Sequence, residues 1–151
     1  MPDSSDPDGI KLRATTLVEA YVAKDATAVA EAVQAIVVAD QTAASISELK
    51  VLAAFLTRRV QETGVAWQPS DAREAVARAV ADLVEPEVEL AVVSAWEAHS
   101  LGESATAEHF TQGDPLIFTH MLAAFTAAIG QAIYSPEELI ATLRIASGLA
   151  E

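Results

Sequence analysis

The chain contains no cysteine, which removes disulfides, zinc-thiolate sites, iron-sulfur clusters and thiol nucleophiles together. Base is scarce: nine Lys and Arg face 22 Asp and Glu, a formal charge of −13 over 151 residues. Non-specific affinity for nucleic acid comes from Lys and Arg displacing counterions from phosphates, so this chain is not read as a DNA or RNA binder. No window alternates with period two for long enough to make a strand, and no self-similarity at a fixed period marks a solenoid. There is no nucleophile elbow, no Gly-rich phosphate loop and no carboxylate pair in a recognisable context, so an enzyme has little support. Residues Met1 to Gly9 are acidic and rich in Pro, Ser and Gly, without the basic and apolar regions of a secretory signal. Residues 1–9 are expected to be a disordered leader, residues 10–151 a helical domain, and the protein cytoplasmic.

What the chain does contain is helical periodicity from end to end. Ile10, Ala14, Leu17, Val18, Tyr21 and Val22 make one stripe at three-and-four spacing, in a helix ending near Lys24. Asp25 is placed to cap a second helix with Val29, Ala32, Val33, Ile36 and Val37 on its face. Ser45 or Ser47 is expected to cap a third, carrying Leu49, Leu52, Ala53, Leu56 and Val60 and stopped by Gly64. Trp67 falls in the connection to a fourth helix opened by Ser70, with Val76, Ala79 and Val80 inward. Pro86 restarts the chain into a fifth, which should lie deep because Leu90 and Val93 make its second side apolar too. A short turn or helix is expected over Ala107 to Thr111. Asp114-Pro115 opens the next helix, and Ser135-Pro136-Glu137-Glu138 has capping-box spacing for the last. The expected fold is all-α, a compact single-domain bundle of about seven helices.

Leu116 to Tyr134 is nineteen residues without Asp, Glu, Lys or Arg, close to the roughly 20 that span a bilayer. Acidic residues at both ends, no flanking base and internal Thr119, His120, Thr126 and Gln131 argue instead for a buried central helix, and against a membrane protein. Phe118, Met121, Leu122, Phe125, Ile129 and Ile133 would form its spine, with Phe125 central. Ala123, Ala124, Ala127, Ala128 and Gly130 on the other side would admit a neighbouring helix or a second subunit, and a homodimer is expected.

Charge is uneven. Residues 1–78 hold 8 bases and 11 acids, residues 79–151 hold 1 base and 11 acids, and no base lies between Arg78 and Arg144. Asp82, Glu85, Glu87 and Glu89 around Pro86 therefore project negative charge, which either steers a basic partner or simply solvates one face. Arg58, Arg59, Arg73 and Arg78 are the one concentration of positive charge. They would clamp an anion or, more plainly, complement a helix end and pair locally, Arg78 with Asp82 and Arg73 with Glu74 or Asp71.

The three histidines, His99, His109 and His120, fall within 22 residues beside Glu97, Glu103, Glu108 and Asp114. A mixed His and carboxylate metal site, or a haem on His99, is chemically open, but no ligand pair has helical metal-site spacing. The leading expectation is a non-enzymatic interaction or regulatory protein with no cofactor, its acidic half binding a basic protein. The alternative is a small-molecule, metal or haem site in a pocket bearing Trp96, His99 and His120.

Overall fold

A computed structural model describes residues 7–64, 69–81, 83–100, 102 and 115–148. Within them are seven α-helices and no strand: α1 (Pro7–Ala23), α2 (Ala26–Val38), α3 (Thr42–Thr63), α4 (Pro69–Val80), α5 (Pro86–Ser100), α6 (Pro115–Gly130) and α7 (Pro136–Ala146). The all-α, single-domain expectation holds. Trp67, Asp82, Glu103, Glu108, His109, Asp114, the short element over Ala107 to Thr111 and residues 1–6 lie outside the described residues.

α6 is the axis of the bundle. It packs against α3 most extensively, and against α4, α1 and α5. Burial is nearly all-round, including Ile117, Met121, Leu122, Ala123, Ala124, Ala127 and Ile129. The Thr119 and Thr126 hydroxyls donate to the carbonyls of Pro115 (3.0 Å) and Leu122 (2.6 Å), so neither buried polar group is left unpaired. No helix among the described residues is long and apolar enough to cross a membrane.

The structure corrects one detail of this spine. Phe125 is half-buried and stacks on Trp96 (ring centroids 4.3 Å apart, 23° between planes), at the rim rather than the centre. Of the two occupants expected for the small-residue side, a neighbouring helix or a second subunit, the bundle's own helices take the place, since Ala123, Ala124 and Ala127 are buried. Small side chains are what let four helices crowd one axis.

Termini follow local chemistry where it is strong. Asp25 caps α2, its carboxylate accepting from the Ala28 N–H at 3.1 Å. Ser135 and Glu138 form a reciprocal capping box, with bonds of 3.3 and 3.0 Å. Gly64 ends α3 at φ 78°, which costs glycine nothing. α1 takes in Pro7, Asp8 and Gly9, because proline suits a first turn and Asp8 faces its positive dipole end. α3 begins at Thr42, before either serine expected to cap it: Gln41 holds the cap position, and Ser47 Oγ donates to the Ala43 carbonyl (3.4 Å) inside the helix. α5 is shallower than its composition suggests, since Leu90 is 70% exposed.

Two long-range polar contacts tie α7 back to α1. Arg144 forms a fork on Glu19, with Nε–Oε2 2.7 Å and Nη2–Oε1 2.9 Å, and Thr15 shares a buried hydrogen bond of 3.0 Å with Ser147.

Two substitutions test this packing. A Cβ on Gly130 would overlap the side chain of Leu139, which is fully buried, so the core around it would have to shift. Gly130→Ala should therefore destabilise by about 1–3 kcal/mol in urea unfolding, against the direction of helix propensity. Ser45 is buried and its hydroxyl has no hydrogen-bond partner, so Ser45→Ala should raise stability by about 1 kcal/mol.

Candidate functional site

Glu85 of the acidic run and one histidine meet at a cleft between α2 and the turn that enters α5. α4 ends in a tight turn, with the Leu83 N–H donating to the Val80 carbonyl at 3.0 Å, and the Glu89 N–H donates to the Glu85 carbonyl at 2.9 Å as α5 begins. That geometry brings Leu83, Val84, Glu85 and Val88 opposite Val29, Ala30, Val33 and Gln34 of α2, with His120 of α6 also lining a cleft of about 570 Å³. The lining is apolar apart from Gln34, Glu85 and His120.

Glu85 and Glu87 are exposed and Glu89 is half-buried. Glu87 and Glu89 occupy the first turn of α5, where they complement its dipole. None of the three is in an ion pair with a described residue. The bases that might have neutralised them are engaged elsewhere: Arg58 and Arg59 with Glu62 (3.9 and 3.4 Å), Arg78 with Glu74 (3.8 Å). Arg78 reaches Glu74 one helical turn towards the N-terminus on α4; the expected partner Asp82 lies outside the described residues. Arg59 also donates to the Tyr134 hydroxyl at 3.3 Å, which raises its pKa above the ordinary arginine value.

His120 is half-buried, and its Nδ1 lies 2.6 Å from the hydroxyl of Tyr21, the rings meeting edge to face with centroids 6.1 Å apart. Either atom is able to donate. Tyr21 is 1% exposed, and burial pushes its phenol well above the usual tyrosine value, so it stays protonated. Periodicity reads Tyr21 only as a core residue; nothing in the sequence links it to a histidine 99 positions away.

Of the residues expected to share a ligand pocket, His120 lines the cleft with Val88, while Trp96 lies two turns further along α5 against Phe125 and is not among the cleft's lining residues. His99 sits at the C-terminal end of α5, its side chain outside the described residues. Among the described residues no three His, Asp or Glu side chains gather in a way that would hold a metal.

The Tyr21–His120 contact has a consequence for alkaline stability. Because burial raises the folded-state pKa above the ordinary 10.0, the unfolded chain loses the phenolic proton first. The stabilisation is complete below pH 10 and falls as pH rises beyond it. Tyr21→Phe should lower stability by about 1 kcal/mol at neutral pH, through the lost hydrogen bond, and flatten the alkaline limb of a melting-temperature profile. No protein-family model, curated protein or solved structure matches the chain.

Proposed function

We propose that the protein is a non-enzymatic interaction module whose α2–α5 cleft receives an amphipathic helix with a basic flank. One observation carries this reading: a largely apolar cleft is lined by Glu85, and neither Glu85 nor its neighbours Glu87 and Glu89 is in an ion pair with a described residue. A partner helix would lay its apolar side chains on the part-exposed Val33, Leu83, Val84 and Val88 while its Lys and Arg meet the three carboxylates. The charge serves encounter and orientation, and the apolar floor supplies affinity.

Self-association belongs to the same reading, but at a different face from α6. Leu12 (46% exposed), Val37 (43%) and Val38 (74%) stay in solvent. α1 and α2 form an antiparallel hairpin, so all three fall at its open end, where a second copy would cover them.

A short peptide with leucines on one helical face and lysines and arginines on the other provides the probe. It should bind saturably, with an association rate that falls as salt rises. Replacing Glu85, Glu87 and Glu89 together by Gln should slow association about tenfold at low salt and flatten that dependence, with melting temperature unchanged or slightly higher. Val33→Asp should abolish binding through the floor. Wild-type association by both variants would remove the cleft from consideration.

A further inference from the structure

We propose that a second cavity, on the far side of Tyr21, is a binding site for a small phosphate-bearing anion. It lies between the α1–α2 turn, α4 and the C-terminal end of α6, has a volume of about 260 Å³, and is lined by Lys24, Arg78, Gln131, Tyr21 and a wall of alanines that includes Ala79 and Ala128. In a chain with 22 acids and nine bases, the charged side chains among the described residues lining this cavity are both bases.

Lys24 makes no ion pair with a described residue. Arg78 is held only by Glu74, at 3.8 Å between two mostly exposed side chains, which leaves most of its five donors available. Two cations that line one small cavity repel each other, and an anion between them relieves that repulsion. A tetrahedral phosphate suits the pair: the guanidinium offers a planar fork to two oxygens, the ammonium a point charge to a third, and the exposed Gln131 amide a neutral donor. The volume is below the roughly 300–1,000 Å³ of pockets for drug-sized ligands, which selects inorganic phosphate or a small monoester. The alanine wall has room for the carbon stub of such an ester.

The competing explanation is that Lys24 and Arg78 merely offset helix C-termini. Lys24 directly follows α1, Arg78 lies in the last turn of α4, and α6 also ends at this cavity. Nitrogen-labelled protein titrated with inorganic phosphate, against sodium chloride at matched ionic strength, separates the two. Saturable amide shifts confined to Lys24, Ala128, Gln131 and their neighbours are expected with phosphate and not with chloride. Arg78→Gln and Lys24→Gln should each weaken the apparent affinity about tenfold or more, and Arg78→Lys should keep part of it. Shifts that chloride reproduces, or that never saturate, would overturn the proposal. So would variants that lower the melting temperature while leaving the phosphate response unchanged, the signature of helix-end complementation. Peptide binding at the α2–α5 cleft plays no part in this readout, so either site is able to fail without the other.

Discussion

Everything in this bundle depends on hiding one helix from water on all sides. α6 has no charged residue, and covering it takes α1, α3, α4 and α5 at once. Four neighbours fit round one axis only where side chains are small, and the run Ala123, Ala124, Ala127 and Gly130 supplies those positions while Met121, Leu122 and Ile129 fill the wider gaps. Full burial would leave each α6 threonine hydroxyl without water. The back-bonds from Thr119 and Thr126 to the helix's own carbonyls resolve that locally, so α6 needs no polar neighbour to sit in the core.

The same constraint explains which parts of the fold were legible in the sequence. Apolar spacing marks every helix, and Asp25 and the Ser135–Glu138 box mark two starts, because those signals act within a few residues. Three features escaped. α1 and α2 each end with a non-glycine residue in left-handed conformation, Lys24 and Asp40, both at φ 55°, where a stop signal would have called for Gly or Asn. The start of α3 carries no side-chain cap, so the two serines nearest the apolar run drew the boundary too late, and Ser45 is instead buried in the helix. The Arg144–Glu19 fork joins residues 125 positions apart, beyond any local pattern.

Of the candidate site, the acidic edge was legible and its setting was not. A run of carboxylates without nearby base is visible in one dimension. That Val29 and Val33 of α2 come to stand across from it follows only from the packing of α1, α2, α4 and α6 together. Periodicity also misjudged depth: Leu90 and Phe125 look like core residues by type, yet the core prefers alanines where helices approach closest, which pushes the larger side chains to the rim. Phe125 comes to rest half-buried against the buried ring of Trp96.

Tyr21 touches both cavities: it is among the residues lining the cation-lined space, and its hydroxyl bonds His120 at the edge of the acidic cleft. Such a position invites the idea that an anion on one side would alter binding on the other. Coupling between sites requires an element with two arrangements whose balance both ligands shift. Tyr21 does not provide one. It is enclosed to 1% exposure among close-packed side chains, its hydroxyl is committed at 2.6 Å, and burial keeps it protonated across the neutral range. A second rotamer would strand the phenol without its partner and open a void where the ring now packs. The wall is therefore rigid, and the two sites are expected to contribute independently, with free energies that add.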